Sequence, residues 1–240
     1  MQPGEKPSLE GRIALVTGAS RGIGRASAIA LAKAGAHVVL TARTVGGLEE
    51  TDDAIQKAGG TATLVPLNLK DFAAIDRLGA SIFERWKKLD AFLGNAGTLG
   101  VLTPLTHLDP KIFQELLDVN VTANWRLIRS FDSLLRQSEA GRVLMVSSAA
   151  ARRNTAFWGG YAMSKAALEM ITFTYAAECS GTSVKVNALD PGPVRTIMRA
   201  KAMPGEDPAT LPRPEELTPM ILDALSPAND KHGELIKFRK

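Results

Sequence analysis

The stretch Ile13-Ala14-Leu15-Val16-Thr17-Gly18-Ala19-Ser20-Arg21-Gly22-Ile23-Gly24 sets the fold. Ile13–Thr17 shows no polar alternation, which suits a strand buried on both faces. Glycines punctuate positions 18, 22 and 24, and Ile23–Ala34 then reads as an alanine-rich helix. The same beat continues outward along the chain. Further strands are expected at His37–Thr41, Thr63–Pro66, Ala91–Leu93, Arg142–Val146, Val184–Leu189 and, from a weaker pattern, Leu235–Phe238. Helical periodicity covers Leu48–Ala58, Phe72–Trp86, Lys111–Arg136, Tyr161–Cys179 and Pro214–Leu225.

Apolar strands separated by helices imply a parallel sheet with right-handed crossovers and helices on both faces. The expected class is α/β: a doubly wound parallel sheet, Rossmann-type, of about six or seven strands. No linker-like composition divides residues 1–240, so they read as a single domain. Thr196–Pro219 breaks the alternation. Prolines at 204, 208, 212, 214 and 219 forbid one long helix there, because each removes an N–H and clashes with the preceding turn. A loop of that length in a compact domain suggests a substrate lid over residues 196–219, the alternative being a mobile surface excursion.

Composition narrows the classes. With 240 residues, 45% apolar and 22% charged, the chain can bury a sizeable core and is neither disordered nor collagen-like. One cysteine, Cys179, excludes a disulfide framework and a zinc ribbon, and points to a reducing compartment. Met1-Gln2-Pro3-Gly4-Glu5-Lys6-Pro7 lacks the apolar centre of a signal peptide, and no apolar run reaches membrane-spanning length. A cytoplasmic protein with no membrane partner is expected. The net charge of +4 is too small to mark a nucleic-acid partner, and Lys87-Lys88 and Arg152-Arg153 read as solvated surface pairs. His37, His107 and His232 lack metal-ligand spacing, so no metal is expected, and Cys179 reads as a packing residue.

The glycine turn has a chemical reading. Gly18, Ser20, Arg21, Gly22, Ile23 and Gly24 join a strand to a helix, where backbone can approach a pyrophosphate at the helix N-terminus. The spacing is Gly-x3-Gly-x-Gly. The second strand ends Leu40-Thr41-Ala42-Arg43 without the carboxylate that would accept from a ribose 2′-hydroxyl. Arg43 and Arg21 instead offer two guanidinium groups for a 2′-phosphate, so NADP(H) is preferred over NAD(H). Downstream, Tyr161-Ala162-Met163-Ser164-Lys165 places a phenol and an ammonium on one helix face at i and i+4. A nearby cation lowers a phenol's pKa and fits it for acid–base work near neutrality. Ser148, thirteen residues earlier and at a strand's carboxyl end, can hold a carbonyl oxygen; Ser147 beside it has the less suitable spacing.

With Asn95-Ala96-Gly97, Asn120 and Pro191-Gly192-Pro193-Val194-Arg195-Thr196 added in order, the chain resembles the short-chain dehydrogenase/reductase family from about Gly11 to Phe238. The resemblance implies NAD(P)-dependent oxidoreduction of a carbonyl/alcohol pair. It gives Tyr161 the acid–base role, Ser148 the substrate oxygen, Lys165 the nicotinamide ribose and Asn120 a water in a proton relay. Asn95, Ala96 and Gly97 would line the adenosine side, and Pro191, Gly192, Val194 and Thr196 the nicotinamide. Asn68-Leu69 stands where the family commonly has an Asp facing the adenine, and Gly94 precedes Asn95 where an Asn is frequent. The helices Lys111–Arg136 and Tyr161–Cys179 match those that pair subunits, which implies a homodimer or homotetramer. The chain ends at Lys240, soon after the last strand, where relatives often continue.

The expected function is thus NADPH-dependent hydride exchange with a small carbonyl or secondary alcohol. A non-catalytic NADP-binding module on the same fold is the alternative. Met163 and Met170 are expected in the core. Trp158, Met198 and Met203 could line the pocket or pack inside, and Arg152 and Arg153 could meet an acidic substrate group but read first as a surface turn.

Overall fold

A computed structural model describes residues 8–238. Met1–Pro7, read above for a leader, and the chain end at Lys240 lie outside the described residues. The elements run β1 (Ile13–Thr17), α1 (Gly22–Lys33), β2 (His37–Ala42), α2 (Val45–Lys57), β3 (Thr61–Pro66), α3 (Phe72–Trp86), β4 (Ala91–Gly94), α4 (Pro110–Leu117) and α5 (Ala123–Arg136). They continue with β5 (Arg142–Val146), α6 (Gly159–Glu178), β6 (Lys185–Asp190), α7 (Ile197–Ala202), α8 (Thr218–Leu225) and β7 (Leu235–Lys237). All seven strands are parallel, in the order β3-β2-β1-β4-β5-β6-β7. This is the expected single-domain Rossmann-type sheet. Its order reverses between β1 and β4, and a crevice opens there beyond the carboxyl ends of the strands.

Both faces of the sheet carry a core, which explains the unbroken apolar strands. Ala14, Val16, Val38, Leu40, Leu93 and Leu144 pack against α1, α2 and α8. Their neighbours Leu15, Val39, Phe92, Val143 and Met145 turn the other way, against α3, α5 and α6. Phe92 and Phe131 meet edge to face with ring centroids 5.2 Å apart. Asp71 caps α3 by accepting from the Ala74 N–H at 2.9 Å, a contact worth about 1 kcal/mol.

Four expectations are corrected. β3 begins at Thr61, two residues earlier than the apolar pattern suggested, because Thr61 is already in register with His37 at the start of β2, where the hydroxyls of Thr61 and Thr63 meet the histidine ring. The expected helix Lys111–Arg136 is interrupted by a π turn at Asp118–Thr122. One extra residue per turn leaves both flanks amphipathic, so periodicity cannot see it. Pro214–Leu225 splits into a 3-10 turn at Pro214–Leu217 followed by α8, with Pro219 in its first turn. Met163 and Met170 lie on the outer face of α6, 38% and 68% exposed, not in the core.

Candidate active site

The ends of β1 and β4 are tied together by Thr17, whose hydroxyl accepts from the N–H groups of Asn95 and Ala96 at 3.0 Å each. Asn95 in turn donates its amide to the Thr17 carbonyl at 2.9 Å. That floor leaves no room for side chains. Gly18 has φ +67°, and a Cβ on it would stand 2.9 Å from the Asn95 amide nitrogen. A Cβ on Gly24 would fall 2.3 Å from the Gly18 carbonyl.

Anion-binding capacity is concentrated beside this floor. α1 starts after Arg21 with no side-chain cap and no acidic residue in its first turn. α2 starts after Thr44 in the same way, next to the exposed Arg43. Uncapped first-turn N–H groups at the positive end of a helix favour an anion. With Arg21 and Arg43 nearby and no carboxylate closing β2, the donors present fit the phosphates of a dinucleotide.

The other end of the crevice gathers hydroxyls and one ammonium. Ser148 follows β5; its hydroxyl accepts from the Ala150 N–H at 3.2 Å and caps the 3-10 turn Ala149–Arg152. It also acts on the phenol of Tyr161, which rises from the first turn of α6 and lines the same crevice. One turn further along, the Lys165 ammonium donates to the Val146 carbonyl at 2.8 Å and sits 5.9 Å from the Tyr161 ring centre. Both side chains are buried. Burial pushes the Tyr161 phenol up to about 12, with Asp190 adding to the rise and the Ser148 hydroxyl opposing it. Burial brings Lys165 down to about 8, against the pull of Glu169. The phenol is thus raised and not lowered in this geometry: desolvation dominates, and the opposing pull comes from Ser148 rather than from the lysine.

Ser147 and Ser148 diverge. Ser147 also borders the crevice, but its hydroxyl donates to Glu169 at 2.5 Å. Glu169 also pairs with Arg152, whose second nitrogen reaches Asp190 at 2.5 Å. Arg152 and Arg153 both lie exposed at the turn after β5, as their sequence context suggested, and Arg152 in addition pairs with the two carboxylates.

Every residue expected at the site lines one crevice of about 660 Å³ except two, Gly24 and Asn120. Gly24 is buried beneath the Gly18 carbonyl. Asn120 lies in the π turn, fully buried, donating to the Thr98 carbonyl and the Ser164 hydroxyl at 2.9 Å each and accepting from the Thr98 N–H at 2.8 Å. Trp158 and Met198 join the crevice wall. Met203 instead lines a separate cavity of about 310 Å³ between α7 and Pro208–Leu211. Thr17, Thr98, Ser164, Glu169 and Asp190 were not singled out in the sequence. Glu169 carried a signal, since it continues the Tyr161–Lys165 stripe by another four residues.

Within Thr196–Pro219, Thr196 caps α7 by accepting from the Arg199 N–H at 3.1 Å. Arg199 and Glu206 form a two-bond fork at 2.6 and 2.7 Å. A Cβ on Gly22 would stand 3.3 Å from the Thr196 methyl, so this segment abuts the glycine turn. Among the described residues no group of three His, Cys, Asp or Glu side chains is placed to hold a metal, and no helix is long and apolar enough to cross a membrane.

Comparison with known proteins gives consistent matches. The family described as short chain dehydrogenase matches residues 12–207. The chain is 36% identical over 217 residues to the uncharacterized oxidoreductase YciK of Escherichia coli K12, covering 89% of this chain and 86% of that protein. A short chain dehydrogenase structure from Pseudomonas syringae superposes with a TM-score of 0.94 at 38% identity, over 97% of this chain and 96% of the other. One from Escherichia coli CFT073, complexed with NADPH, gives a TM-score of 0.91 at 35% identity, over 97% and 98%.

Proposed function

The chain belongs to the short-chain dehydrogenase family and is an NAD(P)-dependent oxidoreductase, and from that premise we propose that it interconverts a carbonyl and a secondary alcohol with NADP(H), using Tyr161 as the acid–base group. The observation that carries this reading is the meeting of Ser148, Tyr161 and Lys165 on one crevice at the carboxyl end of β5, with the ammonium 5.9 Å from the phenol ring centre. A bound nicotinamide cofactor supplies the hydride. Arg21, Arg43 and the first turns of α1 and α2 hold its phosphates, Asn68, Leu69 and Asn95–Gly97 its adenosine side, and Pro191, Gly192, Val194 and Thr196 its nicotinamide.

Ser148 and Tyr161 hydroxyls donate to the substrate oxygen, polarising the carbonyl, and Tyr161 delivers the proton. Lys165 contacts the ribose and favours the phenolate that remains. Asn120 spends both amide hydrogens on protein partners, so a relay water is held by its remaining acceptor capacity. Residues 196–219 act as a lid, with Thr196 as the hinge side nearest the glycine turn. Exposed Phe113 and Trp125 of α4 and α5, with Met163 and Met170 of α6, suit pairing of two copies along these helices.

The deciding experiment follows NADPH oxidation at 340 nm across a panel of aliphatic, aromatic and acyl-thioester ketones. Turnover lost in Tyr161→Phe with NADPH still bound supports the assignment. Normal turnover in that variant, or tight NADPH binding with no turnover on any ketone or on the matching alcohols with NADP⁺, overturns it in favour of a binding module.

A further inference from the structure

Behind the hydroxyl pair lies a charged cluster that the proposed reaction does not use. Glu169 and Asp190 are both buried, with side chains about 10% exposed. They come from different elements, Glu169 from α6 and Asp190 from the last position of β6. Arg152 joins them from the turn that Ser148 caps, and Ser147 adds its hydroxyl from the end of β5. The other oxygen of Asp190 accepts from the Gly192 N–H at 3.2 Å, in the segment proposed to face the nicotinamide.

We propose that Arg152 is a positioning residue for the reaction: it clamps the Ser148 turn, the Tyr161–Lys165 helix and the Asp190–Gly192 segment to one another, and it offsets two buried carboxylates beside the phenol and the ammonium. Three segments that each bring one working group are fastened by one guanidinium. Planar, two-pronged bonding suits arginine for this and lysine only in part. The charge argument follows from burial. A carboxylate out of water interacts strongly with its neighbours unless a cation meets it.

The charged and titratable groups facing Tyr161 and Lys165 are few. On α6 there are these two and Glu169; from the turn after β5 there are Ser148 and Arg152; from β6 there is Asp190; and the outer crevice is lined by Glu115 of α4, by Arg195, Arg199 and Lys201 around α7, and by Arg21 and Arg43 at the far end. Glu169 holds Lys165 upward and Asp190 holds Tyr161 upward, so a clamp on both carboxylates reaches both working groups.

The inference rests on the Tyr161 and Lys165 assignment above, but its test needs no turnover. The 13Cε resonance of Lys165, assigned with Lys165→Arg, is titrated by NMR in the full-length protein. Removing the carboxylate in Glu169→Gln lowers the Lys165 midpoint. Removing the clamp in Arg152→Met leaves the Glu169 charge unmatched and raises it, each by roughly half a pH unit or more. Arg152→Lys keeps a charge and stays nearer the parent, whereas Arg152→Gln, which removes the charge but stays polar, carries the comparison with Glu169→Gln if the methionine variant does not fold. A loss of packing alone lowers melting temperatures without moving these midpoints in opposite directions. Midpoints that coincide with the parent, or that shift in the same direction in the Glu169 and Arg152 variants, overturn the proposal. Inactive protein with opposed shifts would instead count against the reductase reading and leave the clamp standing.

Discussion

The two edges of the sheet spend their polar groups differently. At the edge where the strands begin, Asp90 accepts from the Ile13 N–H at 2.9 Å and from Ser138 at 2.6 Å. Arg12 donates to the carbonyls of Asp90 and Ala140, and Arg142 to those of Gly141, Ser183, Ser226 and Pro227. Apart from the buried Arg12 Nε, the charged groups there are spent on loop backbone and on one another, so this edge works for stability. At the edge where the strands end, helix first turns lack caps and the hydroxyls of Ser148 and Tyr161 face a crevice. Unspent donors beside a void are what ligand binding and proton transfer require.

Variants at the two edges should therefore fail in different ways. The largest effect expected is at the open edge: Tyr161→Phe should lower kcat/KM by about 10³-fold, as loss of a general acid does, while the melting temperature stays within a few degrees. A large drop in melting temperature alongside it would erase the contrast. At the edge where the strands begin, Asp90→Asn should cost about 2–3 kcal/mol in denaturant unfolding and leave kcat unchanged. Its pH dependence sharpens the point. Burial raises the Asp90 carboxyl, but hydrogen bonds from Ser138, Ile13 and Lys88 and the charge of Arg12 bring it below its ordinary value. A carboxyl lowered in the fold stabilises above its unfolded pKa, and that stability is lost as pH falls through the folded value. The gap between parent and Asp90→Asn should thus be full near neutrality and narrow below about pH 4. A constant gap in acid-unfolding curves would locate the effect elsewhere. The smallest change is one of preference: Arg43→Ala should reduce the NADPH/NADH ratio of kcat/KM roughly 10-fold or more, the worth of one charge-assisted hydrogen bond, without touching stability. An unchanged ratio would remove Arg43 from the phosphate end.

The sheet was legible because its strands are buried on both faces, so their apolar runs stand out one by one between helices. The glycine turn, the Tyr161–Lys165 stripe and Ser148 were legible because each is a local pattern with a chemical reason for its spacing. The π turn at Asp118–Thr122 was not, since both flanks stay amphipathic across it and the partners of its Asn120, Thr98 and Ser164, come from distant segments. The exposure of Met163 and Met170 was missed for a related reason. An apolar side chain on a helix says nothing of whether its face meets the sheet.

By itself the sequence determined the α/β class, the place of the crevice at the first strand–turn–helix, and the residue types available for phosphates, hydride exchange and a proton. Those follow from short-range spacing and the period of side chains along strands and helices. Only the tertiary structure decided that Ser147 is spent on Glu169, that Asn120 lies behind the wall, and that Arg152 binds two carboxylates brought together from α6 and β6. Electrostatics in a folded chain depend on burial and on distances between segments far apart in order, and neither can be read along a line.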